Sequence, residues 1–407
     1  MTIHYQTGTL DNGLTIIAEC DDHAHSAAAG FFVRTGARDE EARLMGVSHF
    51  LEHMMFKGTD EISADALNRR FDEMGARNNA HTSGDLTAFH AHVLPEHLGD
   101  TLELLGKMMR PALRDDDFTT EKGVILEEIA MYKDSPFWVL YEDAMDRHYS
   151  GGSLGHRVLG TAETVTDLTS TQMRTYFDAR YSADNTVVAL AGKLDFAKAV
   201  DQIASVCGDW QVTNADRDLA KPESGVGRFV LKDEKVSRAY MIGISQAPAI
   251  NDDLRYAATL ASQILGASDN SRLHWALIES GLADEAQAEY HGREGLGEQF
   301  VYASGSPDKA EEIWSVVEHE LSGLAASICD DDLERLRGRM VTGVTLSGER
   351  PADRMQRIGS QWTLTGQYRP LEEELARIEA ISVSDVRSVI EAFDPKPTTF
   401  GMLLPAS

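Results

Sequence analysis

Hydrophobic and polar positions along the chain follow two different periods, which together predict a mixture of strands and helices. Runs of continuous or alternating apolar residues are typical of strands and include AAAGFFVRTG, LTAFHAHVL, NTVVALAG, RFVLKD and AYMIGIS. Apolar residues spaced three and four apart are typical of amphipathic helices and occur in HLGDTLELLGKMM, STQMRTYFDARY and PDKAEEIWSVVEHELSGLAAS. Near the N-terminus, Asn12-Gly13 separates two strand-like runs and predicts a tight hairpin turn.

The two halves of the chain share a weak likeness at a constant offset. LTSTQMRTYFDARYSADNTVVALAG begins at Leu168 and ISVSDVRSVIEAFDPKPTTFGMLLP begins at Ile381, so the offset is 381 − 168 = 213 positions. Each segment is typical of a capped helix, a turn and a closing strand. The same offset aligns EKGVILEE with ERLRGRMV, and agreement in two separated segments favours an internal duplication.

A polar stretch rich in Gly and Pro, TNADRDLAKPESGVG at positions 213–227, is the best candidate for a linker. It divides the chain into a first domain at 1–212 and a second, homologous domain at 228–407. A length of 407 residues is sufficient for two domains, and an apolar content of 42% is normal for a globular protein.

Composition narrows the classes of function. A formal net charge of −28 makes nucleic acid and anionic membranes poor partners. The acidity favours either simple solubility or a chamber that attracts basic peptides, and composition leaves both open. The three scattered cysteines indicate buried, reduced thiols and not a disulfide framework or a cysteine-based metal site.

The same inspection predicts where the protein is located. No apolar run is long enough to cross a membrane, so we expect no transmembrane helix. The N-terminal sequence MTIHYQTGTLDNG lacks the basic start and apolar core of a secretory signal. We therefore expect a cytoplasmic protein, or a periplasmic one if a leader has been removed.

The segment GVSHFLEHMMFKGT carries the strongest chemical signal in the chain. In a helix, His49 and His53 lie one turn apart on one face, and Glu52 shares that face. Two imidazoles in this arrangement can bind one zinc ion, and Glu52 can then take a proton from a water on that ion. This is the H-x-x-E-H arrangement of zinc peptidases. The alternative is an amphipathic helix with two solvated histidines.

A catalytic zinc ion needs a third protein ligand. The segment TTEKGVILEEIAMYKDSP is predicted to be a second helix, on which Glu121 and Glu128 lie seven residues apart and share a face. Glu127 is rotated by about 100° from Glu128 and is expected to face solvent. We assign Glu128 as the third ligand and Glu121 as a supporting catalytic carboxylate. The alternative is that both are ordinary surface carboxylates.

These motifs resemble the pitrilysin-type inverzincin family, in particular the subunits of mitochondrial processing peptidase and their compact bacterial relatives. The likeness is strongest from Leu10 to Gly192 and extends to MGARNNAHTSGDLTAFHAHVL and LGHRVLGTAETVTDLTSTQMRTYF. It implies an α+β fold of two duplicated domains, each an antiparallel-rich sheet covered by helices. It also implies one Zn²⁺ per chain and a second domain without metal.

The offset leads independently to the same view of the second half. Positions 213 residues after His49, Glu52, His53 and Glu128 hold residues that cannot replace them as zinc ligands or general base. Those counterparts are Ser262, Leu265, Gly266 and Val341.

The resemblance further implies a substrate and a mode of binding. The substrates would be peptides or unfolded segments, held by backbone hydrogen bonds along an edge strand beside the zinc ion. That strand corresponds to Asn79, Ala80, His81, Thr82 and Ser83, which without the resemblance would be interpreted as a polar turn that enters a strand. The nearby His90 and His92 are interpreted as structural or substrate-facing.

Relatives of this size usually pair, so we expect a dimer, either with a second copy or with a metal-free homologous chain. The sequence departs from the family at Ile278 and Asp284, where relatives commonly carry an arginine and a tyrosine that bind the substrate carbonyl. An ionised aspartate cannot donate such a hydrogen bond. The function expected is that of a zinc metalloendopeptidase with Glu52 as general base. The alternative is a non-catalytic scaffold subunit of the same fold.

Overall fold

The structure is a computed structural model that describes residues 3–219, 225 and 227–406. The chain divides into two compact units. The first unit comprises Met1–Ile129, His156–Asp218 and Leu346–Arg369, and the second comprises Ala130–Gly155, Leu219–Thr345 and Pro370–Ser407. Of the expected linker, positions 220–224 and 226 lie outside the described residues.

The first unit contains a six-stranded sheet in the order β1-β2-β6-β3-β5-β4. Its strands are β1 His4–Thr9, β2 Thr15–Cys20, β3 Ala27–Val33, β4 Arg77–Thr82, β5 Thr87–Val93 and β6 Thr186–Gly192. Strands β2 and β6 are parallel, and the other neighbouring pairs are antiparallel. The turn between β1 and β2 contains Asn12-Gly13, with a left-handed φ of 86° at Gly13, which agrees with the predicted hairpin.

The second unit contains a five-stranded sheet in the order β7-β11-β8-β10-β9. Its strands are β7 Gly227–Asp233, β8 Ala239–Ala247, β9 Glu285–Arg293, β10 Leu296–Gly305 and β11 Thr399–Pro405. This order reproduces β2-β6-β3-β5-β4 strand for strand. The parallel pair also keeps its register, because Thr15 lies opposite Val187 and, 213 positions later, Arg228 lies opposite Phe400. The predicted α+β fold with two duplicated, sheet-containing domains is therefore confirmed.

Helices cover these sheets. Those of the first unit are α1 Val47–Met55, α2 Ala64–Glu73, α3 Leu98–Met108, α4 Asp115–Lys133, α6 Ala162–Asp167, α7 Ser170–Arg180, α8 Phe196–Cys207 and α12 Pro351–Thr365. Those of the second unit are α5 Pro136–His148, α9 Arg255–Gly266, α10 Ala310–Ser327, α11 Asp330–Ser347, α13 Leu371–Glu379 and α14 Val383–Ala392, with a π-helical turn at His274–Ile278. Helix α4 ends in the second unit and α11 ends in the first. Short 3₁₀ turns lie at Ala37–Asp39, Ala42–Leu44, Pro95–His97, Ser153–Gly155, Ala183–Asn185 and Pro307–Lys309.

The core of the first unit lies between one face of its sheet and its helices. Phe31 and Phe89 from the sheet pack with Phe50 of α1, and all three are fully buried. The opposite face of the sheet is covered by α12. There Phe32 contacts α12 so closely that a Cβ on Gly359 would lie 2.2 Å from its ring, so only glycine fits at that position.

The two units exchange segments relative to the contiguous ranges 1–212 and 228–407. Residues 130–155 of the first half belong to the second unit, and residues 346–369 of the second half belong to the first unit. The reason is burial of apolar stripes. Leu140 of α5 is buried on the sheet of the second unit, and Met355 of α12 is buried on the sheet of the first. The polar segment 213–227 indicates where the two repeats join. It does not indicate which of the two sheets α5 or α12 covers.

Two further sequence expectations can be compared with the structure. Cys20 and Cys207 are buried free thiols, as the sequence predicts. Cys329 is exposed, so the prediction of a buried thiol is wrong at that position. Among the described residues, no helix has both the length and the apolar character needed to cross a bilayer.

Candidate metal centre

Helix α1 presents His49, Glu52 and His53 along one side while its other side packs into the core. The helix begins after Gly46, whose φ of 96° is left-handed. A Cβ atom on Gly46 would lie only 2.5 Å from the carbonyl oxygen of Leu159. The carboxyl group of Glu40 accepts hydrogen bonds of 2.7 Å from the N–H groups of Gly46 and Ser48. These bonds satisfy two of the free donors at the start of the helix and fix its first turn.

Helix α4 brings the second set of candidate residues alongside α1. The rings of Phe50 and Phe118 stack with centroids 4.7 Å apart and planes 14° apart, which couples the two helices inside the core. Glu121 is buried and Glu128 is half-buried, whereas Glu127 is exposed.

The structure brings the side chains of His49, His53 and Glu128 together. Oε2 of Glu128 lies 3.8 Å from Nε2 of His49 and 3.8 Å from Nε2 of His53. The three ligand atoms lie within 4.8 Å of one another, and the imidazole centroids are 4.7 Å apart. A zinc ion at about 2.0–2.2 Å from each donor fits such a spacing and leaves a fourth position open. No other set of three such ligands comes together in the part of the chain that the structure describes.

Glu121 lies behind His53. Nδ1 of His53 lies 2.8 Å from Oε1 of Glu121, and the ammonium group of Lys57 pairs with Oε2. Burial raises the pKa of Glu121, but the ion pair with Lys57 and the hydrogen bond from His53 outweigh burial and hold the pKa below its usual value. The ionised carboxylate therefore accepts a hydrogen bond from the Nδ1–H of His53, which leaves Nε2 of His53 free to bind an ion.

Glu52 lies beside the cluster without belonging to it. Its Oε2 accepts a hydrogen bond of 2.6 Å from the Thr82 hydroxyl. Burial and the charge of Glu128 raise the pKa of Glu52, while the hydrogen bond from Thr82 and the neighbouring His53 oppose the rise. A carboxylate with a raised pKa close to a metal position is suited to accept and return a proton.

His49 is almost fully buried, at 8% exposure. Burial, with a smaller contribution from His53, lowers the pKa of His49 to about 4. Its imidazole is therefore neutral near pH 7, which is the form that binds zinc. Its Nδ1 has no hydrogen-bond partner among the described residues, in contrast to Nδ1 of His53.

Strand β4 carries four of the five residues expected to bind substrate, Asn79, Ala80, His81 and Thr82, and Ser83 lies directly after it. Within the described residues β4 pairs only with β5, so its other edge is open. Side chains alternate along a strand, so Thr82 shares the face of α1 and of Glu52 while His81 points to the opposite face. An extended peptide could therefore add to this edge next to the metal position.

The additional histidines of the first half do not join the metal cluster. The imidazoles of His81 and His90 are 6.4 Å apart, and Nδ1 of His90 lies 2.9 Å from the amide nitrogen of Gln356 in α12. His92 contacts the hydroxyl of Ser26 at 2.8 Å. Burial lowers the pKa of all three.

In the second unit, Ser262, Leu265 and Gly266 lie buried in α9. At the two positions that depart from the family, Ile278 packs against the core, and Asp284 forms an ion pair of 3.2 Å with Arg238. Sequence reasoning overlooked Lys57 and Glu40 as parts of the metal centre. The signal that could have found Lys57 was its position, four residues after His53 and just beyond the end of α1 at Met55.

Comparison of the chain with known proteins shows which family it is similar to. Residues 15–162 match the insulinase family, peptidase family M16, and residues 167–340 match the peptidase M16 inactive domain. An uncharacterized zinc protease from Streptomyces coelicolor is 31% identical, with 94% of this chain and 85% of that protein covered. Among solved structures, a protease from Helicobacter pylori has a TM-score of 0.91 at 20% identity, with 100% of both chains covered. A chain of complex III₂ from Candida albicans has a TM-score of 0.85 at 18% identity, with 98% of this chain and 95% of that chain covered.

Proposed function

Because the chain belongs to the insulinase family of peptidases, family M16, we propose that it is a zinc-dependent endopeptidase that hydrolyses peptides or unfolded segments. The observation that supports this most strongly is the convergence of Nε2 of His49, Nε2 of His53 and a carboxylate oxygen of Glu128. Two imidazoles and one carboxylate are a common ligand set of catalytic zinc, and a fourth position stays open for water. We expect one Zn²⁺ per chain.

The roles of the side chains follow from their positions. A zinc ion held by His49, His53 and Glu128 would lower the pKa of water and polarise a peptide carbonyl. Glu52 accepts the proton of the attacking water and delivers it to the leaving amine. Thr82 orients the Glu52 carboxylate by its hydrogen bond. Glu121 holds the His53 ring so that Nε2 faces the metal position.

Substrate is held along the open edge of β4. An extended peptide receives backbone hydrogen bonds there, so the site binds many sequences with little demand on the side chains. The residues involved are Asn79, Ala80, His81, Thr82 and Ser83. The proximity of Thr82 to Glu52 brings the peptide backbone close to the general base.

The site also needs donors that stabilise the charge developing on the substrate oxygen. Asp284, held by Arg238, cannot supply one, and Ile278 has no polar group. We propose that the protein works as a dimer, with either a second copy or a metal-free homologous chain. Of these two partners, the metal-free chain, which lacks H-x-x-E-H, would supply the missing donors. Full peptidase activity of the purified chain alone on diverse peptides would exclude that need for a partner.

A second candidate function is a non-catalytic scaffold within a larger assembly. The chain of complex III₂ shows that this fold occurs in a larger assembly, and at 18% identity the likeness concerns the fold alone. A scaffold has no need for the three converging ligands with Glu52 beside them. Zinc content measured together with peptide cleavage separates the two functions.

The test of the peptidase proposal uses paired glutamate-to-glutamine variants. Glu52→Gln should keep zinc and lose turnover, because the general base is removed and the ligands stay. Glu128→Gln should lose zinc affinity, whereas Glu127→Gln, one position away and exposed, should behave as wild type. Retained turnover in Glu52→Gln would refute the assigned base. Unchanged zinc affinity in Glu128→Gln would refute the assigned ligand.

A further inference from the structure

The turn that follows α1 lies against the residues that precede α4. We call this turn, Phe56–Thr59, the FKGT turn. The guanidinium group of Arg114 donates to the carbonyl oxygens of Lys57, at 3.3 Å, and of Thr59. The N–H of Ala112 donates to the carbonyl oxygen of Gly58 at 3.1 Å. The end of the helix that carries His49 and His53 is therefore bound to the start of the helix that carries Glu121 and Glu128.

The side chain of Lys57 extends from this turn to Glu121. Its ammonium group pairs with Oε2, while Oε1 accepts the hydrogen bond from Nδ1 of His53. Oε1 thus has a hydrogen-bond partner, and Oε2, which makes no hydrogen bond among the described residues, has an ion-pair partner. This arrangement fixes the plane of the carboxylate and, through it, the orientation of the His53 ring.

Burial distinguishes this ion pair from the ordinary pairs of the surface. The side chain of Glu121 is 6% exposed, so its charge needs a nearby cation. Lys107, by comparison, pairs at 2.7 Å with Glu103, whose side chain is 49% exposed. Exposed pairs of that kind contribute little because water screens them. The two lysines have nearly equal exposure, 33% for Lys57 and 34% for Lys107, so the partner makes the difference.

We propose that Lys57 is a positioning residue of the metal centre and that Arg114 holds the turn that carries it. The ion pair of Lys57 is with Glu121, which is not one of the three ligand residues. Lys57 acts through Glu121, which presents Nε2 of His53 to the ion, and the inference rests on the proposed function in taking that ion to be zinc. Loss of such supporting partners typically weakens metal binding about 10- to 100-fold.

The test compares zinc affinity in four proteins. Apo forms of wild type, Lys57→Met, Lys57→Arg and Lys107→Met are titrated with Zn²⁺ in competition with a chromophoric chelator. The Kd should rise roughly 10- to 100-fold in Lys57→Met. In Lys57→Arg, which keeps the cation, the Kd should be close to the wild-type value. In Lys107→Met the Kd should equal the wild-type value. Thermal unfolding of each apo protein checks that the variants are folded.

A second readout needs neither zinc nor activity. Nitrogen-15 NMR of the His53 ring in the apo proteins reports which ring nitrogen carries the proton. Wild type should hold the proton on Nδ1, and Lys57→Met should show a mixture of the two forms. Wild-type zinc affinity together with an unchanged His53 tautomer in Lys57→Met would overturn the proposal. Zinc binding without peptide cleavage by wild type in the presence of its partner chain would refute the peptidase function alone, and the NMR comparison tests the role of Lys57 independently of that outcome.

Discussion

The contact between Thr82 and Glu52 allows a quantitative test of the general base. The Thr82 hydroxyl donates to Oε2 of Glu52 at 2.6 Å, from the last residue of the edge strand β4. Thr82→Val removes the donor and keeps the shape of the side chain. Thr82→Ser keeps the donor and loses only a methyl group, so it serves as the matched control.

The expected effect follows from the strength of this bond. A hydrogen bond to a charged group contributes about 1.5–3 kcal/mol, and one pKa unit corresponds to about 1.4 kcal/mol. The bond stabilises the ionised form of Glu52 and opposes the rise in pKa that burial causes. Without it, the pKa of Glu52 should rise further by roughly one to two units, the lower value being favoured because Glu52 is only half-buried.

The assay is the pH dependence of kcat/KM with an internally quenched peptide. Glu52 must be ionised to accept a proton, so activity falls as the pH drops through its pKa. In Thr82→Val this acid limb should move to higher pH by about one unit or more, whereas in Thr82→Ser it should stay near wild type. An acid limb at the wild-type pH in Thr82→Val, with equal zinc content, would refute the assignment of Glu52.

Three further predictions concern stability. Removal of zinc should lower the unfolding temperature, because free zinc at 100 times its Kd raises the free energy of unfolding by about 2.7 kcal/mol. Equal calorimetric traces of the apo and zinc-loaded proteins would contradict this. Burial raises the pKa of Glu40 from 4.5 to about 8, so the folded state binds the proton of the Glu40 carboxyl more tightly than the unfolded state does. The stability that this protonated carboxyl contributes is therefore lost as the pH rises towards 8. Urea unfolding of Glu40→Gln should therefore show a shallower loss of stability between pH 5 and 8, and an unchanged slope would exclude Glu40 as its source. Cleavage at a protease site introduced after Asn214 should leave the two fragments associated in gel filtration, because each unit contains segments of both; separation into free fragments would disprove this.

The local parts of the candidate metal centre could be predicted because they depend on helical periodicity alone. His49 and His53 lie four residues apart, and any helix places such a pair on one face. Glu121 and Glu128 lie seven apart, and the same reasoning separates them from Glu127. The duplication could also be predicted from the sequence, because a constant offset means that strands and helices follow one another in the same order in both halves. The two sheets accordingly have matching strand orders.

The remaining features depend on tertiary contacts that leave no periodic signal. An apolar stripe shows that α5 and α12 are buried, but it does not show that each helix covers the sheet of the other half. The pairing of Lys57 with Glu121 joins residues that are distant in sequence, and charge alone offers many other partners. Cys329 was expected to be buried because cysteine usually is, and its exposure follows from its position just before α11.

The most direct test is a crystal structure of the zinc-loaded protein with anomalous data collected on both sides of the zinc absorption edge. One zinc ion should lie about 2.0–2.2 Å from Nε2 of His49, Nε2 of His53 and a carboxylate oxygen of Glu128, with Glu52 beside it and not bound to it. An ion bound elsewhere, or one that takes Glu52 or Glu127 as its third ligand, would contradict the proposed centre.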